Sequence, residues 1–208
     1  MIVIDCVQGD ESWHAARVGC ITASNFADCC QKLKNGDFSA KAKQLAFKLA
    51  IERISGTALS EDKFETWEMR RGRELEPEAR YAHEQRIGVM VEQTGIVKTD
   101  DGLFGACVDG FIGDDGQSEY KAFVAPTSLM PILLENDIGD CIYQVQGQLW
   151  VTNKKWCDFC LYCPALKSIR KELTIFRVNR DEDFIAKMEV DLMEFNRLVE
   201  SYKTKLMA

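Results

Sequence analysis

Asp109-Gly-Phe-Ile-Gly-Asp-Asp-Gly-Gln-Ser-Glu119-Tyr-Lys121 is the most informative run in this chain. Phe111-Ile112 leads into a turn rich in Gly and Asp, and an alternating stretch leads out of it, which predicts a β-hairpin. Side chains alternate along a strand, so Glu119 and Lys121 share one sheet face, and the hairpin returns Asp109 beside them. Two carboxylates and an ammonium then converge. Phosphodiester hydrolysis calls for that combination: hard Mg²⁺ prefers carboxylate oxygens, lowers the pKa of a water and neutralises phosphate charge, while a lysine stabilises the charge that develops. Glu-x-Lys/Arg occurs five times, and the other four pairs (Glu61/Lys63, Glu68/Arg70, Glu78/Arg80, Glu84/Arg86) fall in or beside helix-like segments. Such pairs usually sit on a solvated face. Only Glu119/Lys121 is strand-like with an Asp across a turn, and by itself it leaves a catalytic centre and a surface ion pair both open.

Outward from the hairpin the hydrophobic period changes. Residues 89–93, 103–108, 111–112 and 118–124 are short and punctuated by Gly, a strand meander, and 156–162 and 173–178 are also strand-like. Upstream, Asp10 caps a helix through Arg17, Ser24 caps one from Asn25 to Lys34, and Ser39 caps one to Ser55. A fourth helix runs from Lys63 to Arg86, where Pro77 predicts a break near Glu76. Downstream come helices at 128–134 and 139–152, the latter with Gln144 and Gln148 on one face, and an amphipathic helix at 181–205. No repeat or linker interrupts, so residues 1–208 read as one α/β domain, a central mixed β-sheet flanked by helices.

Composition narrows the function classes. The 208 residues are 46% hydrophobic with 14 Gly and 4 Pro, which excludes collagen-like, coiled-coil and disordered classes. A chain of this length buries roughly 70% of its unfolded surface and needs no disulfides. No apolar run approaches ~18 residues, so no membrane span is expected. Met1–Asp5 lacks the features of a signal peptide, and the nine cysteines of a chain expected to be cytoplasmic read as reduced thiols. A net charge of -7 argues against duplex binding, but its distribution does not. Between Gln31 and Arg53, Lys32, Lys34, Lys41, Lys43, Lys48 and Arg53 face only Asp37 and Glu52. Arg70, Arg71 and Arg73 form a second basic cluster, and residues 100–119 hold six acids and no base. Basic rims around an acidic centre suit an enzyme that holds phosphates and concentrates cations, although uneven surface charge alone accounts for the same counts.

Three further motifs flank the hairpin in order. They are Gln8-Gly-Asp-Glu-Ser-Trp-His-Ala-Ala-Arg17 through Ser24, Arg71-Gly-Arg-Glu-Leu-Glu76-Pro-Glu-Ala-Arg80, and Tyr143-Gln-Val-Gln-Gly-Gln-Leu-Trp-Val151. The series, over about residues 8–165, resembles the lambda-type phage exonucleases, the YqaJ-like viral recombinase family of the PD-(D/E)xK nuclease superfamily. The resemblance implies a restriction-endonuclease-like core and a Mg²⁺-dependent 5′→3′ exonuclease on double-stranded DNA. Such an enzyme releases 5′-mononucleotides and leaves a 3′ single strand for recombination by single-strand annealing. It implies two Mg²⁺ ions, with Mn²⁺ able to substitute, held by Asp109, Glu119, Glu76 and the backbone carbonyl of Tyr120, with Lys121 as the catalytic lysine. Arg17, Ser24 and Gln144 match positions that bind the 5′-terminal phosphate, and Cys107 stands where a small hydroxyl residue helps bind it. Val108 replaces the family's usual Pro before the metal-site Asp. Also implied are a ring-shaped homotrimer, a phage single-strand annealing protein as partner, and a phage or prophage gene expressed in the bacterial cytoplasm.

The residues support part of this independently. Arg17 can grip a phosphate through two parallel hydrogen bonds, and Ser24 opens a predicted helix whose amides favour an anion. Read without the family, Arg17 pairs with Asp10 or Glu11, Ser24 is an N-cap, and Gln144 and Glu76 are surface residues. Cys157-x-x-Cys160-x-x-Cys163 invites an iron–sulfur or zinc reading, yet in a strand that spacing alternates faces, so these read as buried thiols. Trp13 and Trp150 read as core anchors, while Met69 with Arg70 and Arg71 is placed to face DNA. The rival functions are a nuclease of other polarity, with or without an iron–sulfur cluster, and a non-catalytic DNA-binding adaptor. A colourless preparation would argue against the cluster-containing form. The second requires a broken metal site, whereas Asp109, Glu119 and Lys121 are all present.

Overall fold

The computed structural model describes residues 1–59 and 66–208. Its strands are β1 (Ile2–Ile4), β2 (Ile21–Thr22), β3 (Ile96–Lys98), β4 (Phe104–Cys107), β5 (Gly110–Ile112), β6 (Gly116–Lys121), β7 (Trp156–Tyr162) and β8 (Leu173–Asn179). Its α-helices are α1 (Glu11–Ala16), α2 (Phe26–Cys30), α3 (Ala40–Ser55), α4 (Trp67–Ile87), α5 (Pro126–Met130), α6 (Cys141–Thr152) and α7 (Glu182–Met207). The strands form two mixed sheets of four, ordered β1-β3-β4-β2 and β5-β6-β7-β8. Only β2/β4 and β6/β7 pair in parallel. The expected single sheet is thus divided where the chain leaves β4 at Cys107 and turns into β5, and a bridge between Glu92 and Phe111 lies beside that turn. Among the described residues no helix is long and apolar enough to cross a membrane.

The hairpin forms as its turn chemistry dictates. Gly113 adopts φ 57°, a conformation that costs a residue with a Cβ but not glycine. Gly110 then faces Ser118, which sets Asp109 opposite Glu119. The β5–β8 sheet is covered on both faces. Cys157, Phe159 and Leu161 pack with Val145 and Leu149 of α6 on one face. Tyr120, Cys160 and Tyr162 pack with Ala79 of α4 on the other. Period-two alternation therefore sends Cys157 and Cys160 into different clusters, and the nine cysteines are free thiols. The largest cluster joins α2, α3 and α7 to the β1–β4 sheet, with Ile185, Met188, Leu192, Phe195 and Val199 of α7 buried at helical spacing. Full burial of side chains this size stabilises by roughly 1.5–3 kcal/mol each. α6 also reaches this cluster: a Cβ at Gly147 would stand 2.3 Å from the Phe26 ring, so only glycine permits the approach.

Several expectations need correction. Ser24 does not cap a helix: it lies in a 3₁₀ turn, Ala23–Asn25, and the short α2 follows with Asn25 as its uncapped start. Residue 63 lies outside the described residues; α4 is capped by the Thr66 hydroxyl and ends at Gly88. It runs unbroken through Pro77, because one lost backbone bond is outweighed by burial of Ala79 and His83 against the sheet. The strand expected at 89–93 is reduced to the Glu92 bridge, since the Val91 amide donates instead to Glu84 (2.9 Å). β1 and β3, absent from the sequence reading, pair with each other. The helix expected at 128–134 is α5 followed by a π-helical turn, Pro131–Glu135.

Candidate active site

Glu119 is buried in the middle of the site, and both its oxygens are taken. Oε1 meets the Lys121 ammonium at 2.6 Å and the Gln144 amide at 2.7 Å, and Oε2 accepts from Gln148 at 2.6 Å. Lys121 also donates to the Gln144 carbonyl oxygen at 3.0 Å. The side-chain alternation of β6 and the (i, i+4) spacing of two glutamines on α6 make these contacts. Asp109 stands beside them, its Oδ2 accepting from the Tyr120 amide at 2.6 Å. Burial pushes the Asp109 carboxyl well above the usual range, and the nearby charges of Glu119 and Glu76 add to the shift. Burial likewise raises Glu76, although Arg80, bonded to it at 2.8 Å, opposes the rise. Burial would lower the Lys121 pKa, but Glu119 and Asp109 more than offset it and hold the ammonium above the ordinary lysine value.

Arg17, Ser24 and Cys107 belong to a second cluster of side chains. Arg17 lies 4.3 Å over the Trp13 ring and directs one guanidinium nitrogen to the Cys107 sulfur and another to the Thr22 hydroxyl, each at 3.2 Å. Thr22 is within 3.3 Å of the Ser24 hydroxyl. Asp10 caps α1 by accepting from Trp13, so the surface pair considered for Arg17 is not made. Gln144 joins Glu119 and Lys121 rather than Arg17 and Ser24. Gln148 connects the two groups: the nitrogen that bonds Glu119 also donates to the Cys107 carbonyl at 2.9 Å. Burial raises the Cys107 thiol pKa against the pull of Arg17. Trp150 packs against Phe26 and Phe104 as expected of a core anchor, whereas Trp13 serves as a platform for Arg17.

Some of the residues that build the site were not singled out in the sequence. Gln148 was visible only as a companion of Gln144, and Thr22 as a neighbour of Ser24. The buried Glu52 carboxylate accepts from the amides of Gly19 (3.0 Å) and Leu59 (3.1 Å), while Arg53 donates to the Gly19 carbonyl (2.8 Å); together they clamp the loop after Arg17. The basic stretch is largely neutralised within the chain. Lys32 pairs with Asp191 and Glu194, Lys41 with Asp28, Lys43 with Asp37 and Arg53 with Glu200. Arg71 lies close to the site, donating to the Ala122 carbonyl at 3.2 Å.

Hard cations suit this donor set. The charges of Glu119 and Glu76 raise the cost of charging Asp109, and that of Glu119 the cost of charging Glu76, which a divalent ion would relieve. Among the described residues, however, no three His, Cys, Asp or Glu side chains stand close enough together to hold an ion. Glu76 is turned onto Arg80, and Glu119 onto Lys121 and two glutamines, so these contacts must loosen before a closed ligand set forms.

The model of the YqaJ-like viral recombinase domain matches residues 12–155, an interval that spans both groups of side chains. The chain belongs to this family. Among solved structures it is similar to an alkaline exonuclease (LHK-Exo) from Laribacter hongkongensis, with 31% identity over 95% of this chain and 96% of that one and a TM-score of 0.82. The same exonuclease in complex with dAMP gives a TM-score of 0.83. A phage related exonuclease from Haemophilus somnus 129PT shares the fold at 16% identity, with a TM-score of 0.68 over 90% of this chain and 95% of that one. No curated protein matches. Membership of the YqaJ-like family and the 31% identical exonuclease support a nuclease with a restriction-endonuclease-like fold.

Proposed function

We propose that this YqaJ-like chain is a Mg²⁺-dependent exonuclease that digests double-stranded DNA from the 5′ end, releases 5′-mononucleotides and leaves a 3′ single strand for annealing-type recombination. The observation that carries this reading is the bridge made by Gln148 between the Glu119–Lys121 cluster and the Arg17–Thr22–Ser24–Cys107 cluster. One group is suited to cleaving a phosphodiester and the other to holding a terminal phosphate, and a single side chain touches both.

Asp109, Glu119 and Glu76, with the Tyr120 carbonyl, would hold the ions, two of Mg²⁺ or of Mn²⁺ in its place. The bound metal supplies Lewis-acid stabilisation of the phosphate and acidifies the attacking water. Lys121, kept charged by Glu119, offers a cation to the phosphate as negative charge builds. Attack on phosphorus with departure of the 3′ oxygen leaves a new 5′-phosphate on the shortened strand. Arg17 can take that phosphate through two hydrogen bonds, with Ser24 and Thr22 as further donors. The α2 helix is too short to add a helix-end contribution, so the grip rests on side chains. The complex of the 31% identical exonuclease with dAMP supports a mononucleotide product.

We further propose a homotrimeric ring, which would let an acidic chain surround DNA, and a phage single-strand annealing protein as the partner that receives the 3′ strand in the bacterial cytoplasm. The deciding experiment digests a linear duplex labelled at one 5′ end, with and without Mg²⁺. Mg²⁺-dependent release of labelled mononucleotide from the 5′ end is expected. Initial release from the 3′ end would establish the other polarity, and binding without cleavage would establish an adaptor.

A further inference from the structure

A chain of buried polar side chains runs behind the carboxylates, and the chemistry above makes no use of it. The Tyr120 hydroxyl lies 3.0 Å from His83 Nδ1, and His83 Nε2 lies 3.2 Å from Asp158 Oδ2. Arg177 closes the chain with bonds of 2.5 and 3.0 Å to the two Asp158 oxygens, and its guanidinium lies 3.6 Å over the Trp156 ring. His83 and Asp158 are 0% and 1% exposed. The carboxylate only accepts, so His83 Nε2 donates to it, and in the neutral ring Nδ1 accepts from the Tyr120 hydroxyl. Every buried polar atom along the chain is satisfied, and four elements are crossed: α4, β6, β7 and β8.

Its two ends lie on the parts that must be aligned. Tyr120 sits between Glu119 and Lys121 on the opposite face of β6, and its amide holds Asp109. His83 follows Glu76 by about two turns of α4, so both project toward the same side of that helix. Leu75, Ala79 and Ala82 of α4 make apolar, weakly directional contacts with this sheet, and the Tyr162 hydroxyl of β7 donates to Glu78 at 3.1 Å, away from the carboxylates of β6. The Tyr120–His83 bond is specific in angle and length.

We propose that His83, held by Asp158, is a positioning residue that fixes α4 on β6 so that Glu76, once released from Arg80, can join Asp109 and Glu119 in divalent-ion binding. This rests on the reading of those carboxylates as ion ligands. Outer hydrogen bonds to ligand-bearing groups commonly contribute 10- to 100-fold to metal affinity. The linkage here is one step more remote, so the expected effect is roughly tenfold.

The test titrates the full chain with Mn²⁺ alone, without DNA, and follows the loss of the free-ion paramagnetic resonance signal, with thermal unfolding measured in parallel. Tyr120→Phe removes only the hydroxyl and His83→Ala removes the link, and each is expected to weaken Mn²⁺ binding roughly tenfold. Leu173→Ala, in the same apolar cluster, should lower the melting temperature while leaving Mn²⁺ affinity within about twofold of wild type. If His83→Ala does not fold, the near-isosteric Tyr120→Phe decides alone. Wild-type affinity in Tyr120→Phe would overturn the positioning role, as would equal weakening in Leu173→Ala. Failure of the wild-type chain to bind Mn²⁺ would instead overturn the reading of the carboxylates themselves.

Discussion

Replacing Gln148 by Leu keeps the volume of a fully buried side chain and deletes its amide. Glu119 Oε2 and the Cys107 carbonyl then lose their donor, at 2.6 and 2.9 Å. A hydrogen bond to a charged group contributes about 1.5–3 kcal/mol and a neutral one about 1 kcal/mol, so the loss should come to roughly 2.5–4 kcal/mol. Lys121 holds Oε1 at 2.6 Å, so the carboxylate cannot turn to find water without giving up that contact. In a chain of this size each kcal/mol moves the melting point by about 2–4 °C, which predicts a fall of roughly 5–15 °C by calorimetry. Turnover should fall roughly tenfold or more, because a carboxylate proposed to hold metal loses its alignment. The partner of this argument is Gln144→Leu, which strips a donor from Oε1 but leaves Lys121 on the same oxygen and should be milder. A loss below about 1 kcal/mol for Gln148→Leu, with normal turnover, would refute the claim that this side chain ties the two groups together.

Asp109→Ala and Glu119→Ala should each lower the hydrolysis rate on the order of 10²-fold or more with the fold retained; activity within a factor of two in either would discredit the site. Lys121→Ala should depress kcat far more than DNA affinity, and a variant that binds weakly yet cleaves bound DNA at the normal rate would make Lys121 a mere phosphate contact. A duplex bearing a 5′-phosphate should be digested several-fold faster than one with a 5′-hydroxyl, and Arg17→Ala should erase that preference, since an Arg–phosphate bond contributes roughly 1.5–3 kcal/mol. Equal wild-type rates on the two duplexes would count against the phosphate-holding role of the Arg17 cluster. The raised Asp109 carboxyl has a pH signature in metal-free protein: native stability is fully present below the unfolded value of 3.8 and is lost as pH rises through the higher folded value. Asp109→Asn should therefore melt higher than wild type at pH 8 in chelator and no higher below pH 3; the reverse order at pH 8 would contradict the assigned strain.

The hairpin was legible because its signals are local: glycines where the turn needs them and alternation on either side. Asp10, Ser39 and the α7 stripe were legible for the same reason. The pieces that were missed depend on partners remote in the chain. β1 and β3 are three residues each, too short to carry a period, and exist because they pair with each other. Ser24 has the residue type of an N-cap, but Thr22 and Arg17 claim its surroundings and the turn tightens instead. Charge counting found six bases in residues 31–53 and could not see that Asp191, Glu194 and Glu200 of α7 answer Lys32 and Arg53. The carboxylates, Lys121 and Arg17 could be named from motif order, whereas their linkage through Gln148 required α6 to be placed.

α6 touches the first sheet at β3 and β4, the second at β7, and the helices α2 and α7, and it also supplies both glutamines of the site. Val145–Leu149, Val151 and Thr152 are buried among elements that must part before solvent can reach this stretch. Hydrogen exchange along this stretch should proceed only through global opening, at the slow end of the molecule's range. The carboxylate centre then has no private way to melt: heat or denaturant should extinguish turnover and disperse the core in one cooperative event rather than in two.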